Sequence, residues 1–156
     1  MMQMPEPDQQ IMARRGAICA ALRQLVPAAS VVSSAEGRRA YDADGLSAYR
    51  QLPLAVVLPE TVEQIAAVMK YCHAEGIKVV PRGAGTSLSG GALPLADAVL
   101  LALGKFNRIL DIDYANRCVV AQPGVTNLAI THAVQDQGFY YAPDPSSQIA
   151  CSVGGN

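Results

Sequence analysis

The 156-residue chain has no tryptophan, only two histidines and no excess of basic residues. Its twelve lysines and arginines stand against thirteen acidic residues, and the longest basic clusters are the pairs Arg14-Arg15 and Arg38-Arg39. A nucleic-acid-binding domain normally carries a basic stripe or patch, so we expect no nucleic-acid partner. No apolar run reaches the roughly 20 residues that a membrane-spanning helix requires, so no transmembrane segment is predicted.

The sequence also lacks the short-spaced cysteine and histidine groups that bind metals. The four cysteines are far apart: Cys19, Cys72, Cys118 and Cys151. They form no C-x-x-C pair, so neither a zinc site nor a disulfide framework is predicted, and reduced intracellular thiols are the simplest interpretation. His73 and His132 both fall in predicted helices, where we interpret them as structural rather than catalytic.

The first 50 residues contain one predicted helix and one segment without a clear period. Apolar spacing over residues 8–25 predicts a helix with Asp8 as its N-cap, and Pro27 stops it. Residues 33–50 are interpreted as an extended arm or loop. Their Asp42-Ala43-Asp44-Gly45 motif lacks the later oxygen ligands of an EF-hand, which argues against a calcium site.

A β-α-β unit is the clearest pattern in the chain. The apolar runs 54–58 and 77–80 predict two parallel strands, and Thr61 with Gln64 predicts a capping box for the helix between them. The packed face predicted for this helix comprises Val62, Ile65, Ala66, Met69 and Cys72. The composition, 51% hydrophobic and 16% charged residues, is typical of a globular protein. Together with the β-α-β unit it predicts an α+β (α/β) fold class.

The second half adds a strand, a hairpin and a helix. Residues 98–103 predict a buried strand, and the runs 109–113 and 118–121 predict a hairpin. A last helix begins at Thr126 and is closed by Gly138. Its predicted packed face comprises Leu128, Ala129, His132, Ala133 and Val134.

The predicted strand 77–80 runs into a loop, residues 81–91 (PRGAGTSLSGG), that contains four glycines. Glycine reaches positive φ without steric cost, so such a loop can present several N–H groups to an anion. A Walker A loop requires Lys and Ser/Thr where this chain has Gly91 and Ala92, and the Rossmann pattern fails at Leu88. Two interpretations remain: a loop that wraps a diphosphate with its own N–H groups, and a structural glycine loop without a ligand.

A second group of small residues occurs near the end of the chain, in residues 143–147 (PDPSS) and 151–156 (CSVGGN). Two such segments in a short domain suit a long ligand with a diphosphate and polar rings. They favour a dinucleotide such as FAD.

Four motifs in order carry a resemblance to a known family: PRGAGTSLSGG (81–91), QPGV (122–125), YAPDPSS (141–147) and SVGGN (152–156). From about Asp44 to Asn156 the chain resembles the amino-terminal part of FAD-linked oxidases of the vanillyl-alcohol oxidase and p-cresol methylhydroxylase type. Within that family it is most similar to the glycolate oxidase and D-lactate dehydrogenase branch. The resemblance implies two small α/β lobes that clasp FAD, with residues 1–50 as an N-terminal helix and arm and residues 51–156 as the first, incomplete part of the FAD-binding domain.

The resemblance also implies the cofactor contacts. The residues it assigns to FAD are Arg82, Gly83, Ala84, Gly85, Thr86, Ser87, Gly90, Gly91, Pro123, Gly124, Pro143, Asp144, Ser147, Cys151, Ser152, Gly154, Gly155 and Asn156. Relatives that bind FAD covalently often have a histidine where this chain has Thr86, so non-covalent FAD is predicted.

The implied activity is hydride transfer from a 2-hydroxy acid, glycolate or D-lactate, to FAD. An iron–sulfur electron-transfer subunit is the implied partner, and the implied location is the cytoplasm or the inner face of the membrane. No catalytic or metal-binding residue is predicted within this chain, which we expect to be truncated at residue 156 and therefore to expose apolar surface and self-associate. The alternative is a non-catalytic nucleotide-binding or interaction fragment.

Overall fold

A four-stranded β-sheet forms the centre of the computed structural model, which describes residues 4–155. The strands are β1 (Val31–Val32), β2 (Ala55–Val57), β3 (Lys78–Arg82) and β4 (Ala98–Ala102). Their order across the sheet is β1-β2-β4-β3; β2 and β3 each pair in parallel with β4, and β1 is antiparallel to β2. The predicted parallel strands of the β-α-β unit are confirmed, with β4 lying between them.

The helix of this unit, α4 (Val62–Ala74), begins as the sequence predicts but packs on a different face. The Thr61 side chain accepts a hydrogen bond from the Gln64 N–H (3.3 Å), and the Gln64 side chain accepts one from the Glu60 N–H (2.7 Å). Val68 and Cys72 are buried, whereas Val62 is 66% exposed. The predicted face was therefore wrong at three positions, because the side of α4 that packs on the sheet is centred on Val68 and Cys72. Those exposed positions are Val62, Ala66 and Met69.

Two helices, α1 (Gln9–Ala13) and α2 (Arg15–Leu25), replace the single helix predicted for residues 8–25. The backbone leaves helical geometry at Arg14, where φ is −86° and ψ is 1°. Asp8 is the N-cap as predicted, since its side chain accepts from the N–H groups of Gln10 (2.8 Å) and Ile11 (3.2 Å).

Helix α2 packs on the same side of the sheet as α4. Ile18 and Leu22 are fully buried there, together with Val68 and alternate residues of the strands. The opposite side of the sheet buries Val56, Leu100 and Ala102, with Val32, Tyr41, Leu58 and Val80 packed against them. Residues 4–50 thus share a core with the rest of the described chain, and the division of the chain at residue 50 stays a prediction.

The segment predicted as an extended arm or loop contains a short helix, α3 (Ala35–Arg39). The Ser34 side chain caps it by accepting from the Gly37 N–H (3.1 Å). After α3 the chain is irregular through residue 50, as predicted. The helix was missed because five residues are too few to show a helical period.

The second half contains the predicted hairpin and helix. Strands β5 (Ile109–Asp113) and β6 (Cys118–Ala121) pair antiparallel, and α5 (Asn127–Val134) follows. The Thr126 hydroxyl caps α5 by accepting from the Ala129 N–H (3.2 Å). The buried residues of α5 are Asn127, Ile130 and Val134. The predicted face was wrong at Ala129, His132 and Ala133, which are exposed, whereas Leu128 is half-buried.

Among residues 4–155, every helix is too short or too polar to cross a lipid bilayer. The same part of the chain holds no group of three or more histidine, cysteine, aspartate or glutamate side chains arranged for a metal ion. Several large apolar side chains are exposed, including Leu110 and Val120 on the hairpin. The expected self-association stays a prediction.

Candidate functional site: a glycine-lined cavity

The glycine loop leaves the carboxyl end of β3, beside the carboxyl end of the parallel strand β4. Open parallel sheets place ligands at this end of their strands. Gly85 (φ +77°) and Gly90 (φ +75°) adopt left-handed backbone conformations that a residue with a Cβ atom rarely takes. The sequence therefore has glycine where the loop geometry requires it.

Arg82 lies at the base of the loop and contributes its side chain rather than its backbone. Its carbonyl accepts from the Leu103 N–H (2.9 Å) next to the β3–β4 ladder. Its guanidinium donates to the carbonyl of Ala43 (2.7 Å), lies 5.8 Å from the centre of the Tyr41 ring and packs against Gly85, where a Cβ atom would overlap it. Burial lowers the pKa of Arg82, and the nearby carboxylate of Asp44 opposes that shift.

The second small-residue segment lies directly against the loop, although almost 70 residues separate them in the sequence. The Ser152 hydroxyl accepts from the Ala84 N–H (3.2 Å) and occupies the space that a side chain at Gly83 would fill. Cys151 and Ser152 are buried, with 2% and 3% exposure. The structure thus brings together the two segments that the sequence singled out.

Pro123 and Gly124 hold the second segment in place without lining the cavity. The N–H of Gly154 donates to the Pro123 carbonyl (2.8 Å), and the N–H of Val153 donates to the Val125 carbonyl (2.9 Å). Gly124 sits so close to the turn after β4 that a Cβ atom would lie 2.6 Å from the carbonyl oxygens of Leu103 and Phe106. This contact links the end of β4 to residues 151–155.

The glycine loop and residues 151–155 line a cavity of about 250 Å³. Its lining comprises Pro81, Arg82, Gly83, Ala84, Gly85, Thr86, Ser87, Gly91, Ala92, Leu103, Ser152, Gly154 and Gly155. The N–H groups of Gly85, Thr86 and Ser87 donate to no other group within the described range, 4–155. Among the described residues, Arg82 is the only charged one in this lining. Unpaired N–H groups beside a guanidinium favour an anionic ligand.

The Ser87 hydroxyl orders the far side of the loop. It accepts from the N–H groups of Ser89 (3.2 Å) and Gly91 (3.4 Å). Gly90 itself faces a neighbouring groove rather than the cavity.

The other sequence-predicted residues lie outside the cavity. Asp144 and Pro143 are exposed, and the Pro143 carbonyl accepts from the side-chain amide of Asn127 (3.2 Å). The Ser147 carbonyl accepts from the Cys151 N–H (2.7 Å), which turns the chain toward Ser152. Asn156 lies outside the described residues. The contacts that the resemblance assigns to FAD stay predictions.

Sequence reasoning missed one set of residues at this site, the segment 41–46. Asp44, only 8% exposed, accepts from the N–H of Ala92 (3.3 Å) at the far end of the loop. Gly45 touches the loop itself, since a Cβ atom there would lie 2.7 Å from the Thr86 carbonyl oxygen. The only sequence signal was the Asp44-Gly45 pair, which is typical of a tight turn.

The sequence model of a family described as FAD binding domain matches residues 53–156, which include the whole cavity. The chain belongs to this family. The FAD binding domain identified in this way carries FAD as its cofactor, which confirms the cofactor expected from the sequence.

Two curated relatives extend the comparison. The chain is 54% identical over 142 residues to the glycolate oxidase subunit GlcD of Escherichia coli (strain K12). That match covers 91% of the chain and 28% of the relative. It is 34% identical over 135 residues to the D-2-hydroxyglutarate dehydrogenase of Xanthomonas citri pv. viticola, covering 86% of the chain and 29% of that relative. The chain therefore spans less than a third of the length of either relative.

Solved structures confirm the fold that the resemblance implied. A 4-ethylphenol oxidase from Gulosibacter chungangensis matches with a TM-score of 0.80 at 25% identity, over 99% of this chain and 30% of that one. A p-cresol methylhydroxylase matches with a TM-score of 0.71 at 25% identity, over 86% of this chain and 27% of that one. The α+β architecture and the vanillyl-alcohol oxidase and p-cresol methylhydroxylase type are both confirmed.

The cavity fits the diphosphate of FAD on its own chemistry. No acidic side chain lines it within residues 4–155, so nothing there repels an anion. Gly83, Gly85 and Gly154 allow Ser152, Arg82 and Pro123 to pack closely around the cavity. The unpaired N–H groups of the loop supply donors. Gly85, Thr86, Ser87 and Arg82 are the residues that would hold the diphosphate.

Proposed function

We propose that this chain is the FAD-binding part of a flavin-dependent 2-hydroxy-acid oxidoreductase of the glycolate oxidase or D-lactate dehydrogenase type. One observation carries the proposal: the glycine loop and residues 151–155 meet in a cavity where the N–H groups of Gly85, Thr86 and Ser87 have no partner within residues 4–155. The 54% identity to a glycolate oxidase subunit favours this substrate class.

In this proposal the chain's own residues bind and orient the cofactor. The loop N–H groups and Arg82 hold the diphosphate, while Ser152 fixes the loop by accepting from Ala84. FAD, when bound, supplies a hydride acceptor, so that a 2-hydroxy acid is oxidised to a 2-oxo acid as its hydroxyl proton is lost. Cavity residues within 4–155 include no histidine, carboxylate, lysine or tyrosine that could accept this proton.

Anaerobic flavin reduction tests the activity. The purified protein, reconstituted with FAD, is mixed with glycolate, D-lactate or D-2-hydroxyglutarate, and the flavin absorbance near 450 nm is followed. We expect loss of the yellow colour with glycolate or D-lactate. Binding of FAD without bleaching by any of the three acids would overturn the proposed oxidoreductase activity and leave the binding function.

That second outcome corresponds to the alternative function, a nucleotide-binding chain that does not itself oxidise a hydroxy acid. Failure to bind FAD at all would contradict both.

Three finer assignments belong to the same proposal. The partner is an iron–sulfur electron-transfer subunit, which fits the word "subunit" in the name of the 54%-identical relative. The location is the cytoplasm or, through partners, the inner face of the membrane. The division into an N-terminal helix and arm (1–50) and the first part of the FAD-binding domain (51–156) completes the assignment. Co-purification of the tagged protein with an iron–sulfur protein checks the first of these.

Non-covalent binding is a separate prediction. Thr86 lines the cavity and offers no imidazole nitrogen for a covalent link to flavin. We therefore expect acid or heat denaturation to release all of the flavin into the supernatant, where its absorbance is measured. Flavin that remains in the washed precipitate would contradict this prediction.

Replacing Ser152 by alanine tests the link between the two segments. The change removes the acceptor for the Ala84 N–H, a hydrogen bond worth about 0.5–1.5 kcal/mol. We expect FAD affinity to fall about three- to tenfold, measured by flavin fluorescence titration. Ser47→Ala, at an exposed serine outside both small-residue segments, is the matched control, and equal affinities of both variants would contradict the role of Ser152.

A further inference from the structure

The segment 41–46, here called the arm, runs along the glycine loop, and none of its residues lines the cavity. It has three separate contacts with the loop region. Tyr41 and the Ala43 carbonyl hold the Arg82 guanidinium, Asp44 accepts from the Ala92 N–H, and Gly45 packs on the loop backbone. The arm therefore touches the loop at its start, its middle and its end.

The middle contact decides how two peptide groups of the loop are oriented. A Cβ atom at Gly45 would lie 2.7 Å from the Thr86 carbonyl oxygen and 2.8 Å from that of Ser87, so both oxygens face the arm. In a trans peptide the N–H points opposite to the C=O, and all peptides described here are trans. The N–H groups of Ser87 and Leu88 are thereby directed away from the arm.

Both carboxylate oxygens of Asp44 already accept hydrogen bonds within the chain. One oxygen accepts from the Leu46 N–H (2.9 Å) and shapes the turn of the arm; the other accepts from the Ala92 N–H (3.3 Å). Gly45 is not at positive φ, so its lack of a side chain matters for space and not for backbone conformation. Both residues serve to keep the arm in contact with the loop.

We propose that the arm is a positioning element of the diphosphate site: it turns the Thr86 and Ser87 carbonyl oxygens away from the ligand and so presents N–H groups to it. This inference rests on the proposed FAD site and assigns it residues outside both glycine segments. Asp44 and Gly45 are positioning residues, because they touch the loop and do not line the cavity.

Gly45→Ala tests the arm directly. Its Cβ atom must push two backbone carbonyl groups, which cannot move aside as a flexible side chain can. We expect the dissociation constants of FAD and of ADP, which carries the same diphosphate, to rise about tenfold, the loss of roughly one hydrogen bond to a charged group. Hydrogen exchange of the Ser87 and Leu88 amides in the free protein, followed by mass spectrometry, should also change.

Gly16→Ala is the matched control, because nothing lies within 4 Å of a Cβ atom at Gly16. Asp44→Asn is the second variant; it adds almost no volume and retains one acceptor oxygen but loses one hydrogen bond to a charged group. A smaller loss of affinity and a small fall in melting temperature are expected. If the parent protein does not bind FAD, the proposed function fails. If the parent binds FAD and both arm variants bind it equally well, the proposed function stands and the role of the arm is refuted.

Discussion

Gly85→Val is expected to abolish FAD binding while leaving the chain folded. Gly85 has φ +77°, a conformation that costs a residue with a Cβ atom about 1–2 kcal/mol. A side chain there also displaces the Arg82 guanidinium, which the Ala43 carbonyl and the Tyr41 ring hold in place. The loop must then rearrange, and the N–H groups that face the cavity are lost as a set.

The size of this loss follows from the hydrogen bonds involved. Two hydrogen bonds to a charged phosphate contribute about 1.5–3 kcal/mol each, so their loss weakens binding about 100-fold or more. Isothermal titration with FAD measures this change. The melting temperature, followed by circular dichroism, should fall by only about 2–8 °C, because the strain is confined to one exposed loop.

Gly138→Val is the matched control for Gly85. Gly138 has φ +76° and nothing within 4 Å of an added Cβ atom. A valine there has the same unfavourable backbone conformation as at Gly85, but it lies outside the cavity. Normal FAD affinity is expected in this variant. If Gly85→Val binds FAD as tightly as Gly138→Val does, the assignment of the loop to the diphosphate is wrong.

The elements of the site that sequence reasoning predicted were those set by local backbone chemistry. Gly83 and Gly154 mark places where a side chain would collide, and Gly85 and Gly90 have positive φ. Such requirements are visible in the residues themselves. The caps at Asp8, Thr61 and Thr126 were predictable for the same reason.

The features that escaped prediction depend on what lies across the fold. Val68 is buried and Val62 exposed because of where the sheet and α2 lie, which the spacing of apolar residues in α4 alone does not fix. Gly45 is required by the carbonyl groups of Thr86 and Ser87, about 40 positions away. A single sequence carries no signal for such a contact, so residues 41–46 were predicted only as part of the extended arm or loop 33–50.

Gly124 extends the same reasoning to the scaffold that supports the cavity. Its N–H donates to the Phe106 carbonyl (2.6 Å), and an added Cβ atom would lie 2.6 Å from the Leu103 and Phe106 carbonyl oxygens. These are backbone atoms of the turn after β4, so Gly124→Val must separate that turn from the Pro123–Val125 chain. Overpacking of this kind costs about 1–3 kcal/mol, and we expect a valine to lie at the upper end.

Gly124→Val should therefore lower both stability and FAD affinity, unlike Gly85→Val. A cost of about 3 kcal/mol corresponds to a fall in melting temperature of about 6–12 °C. FAD affinity should fall about tenfold, because the N–H groups of Val153 and Gly154 donate to the Val125 and Pro123 carbonyls, so that residues 151–155 shift when these carbonyls shift. Gly104→Val, in the same turn but with nothing within 4 Å of an added Cβ atom, is the matched control. A Gly124→Val protein that melts lower yet binds FAD normally would mean that residues 151–155 do not form part of the cofactor site.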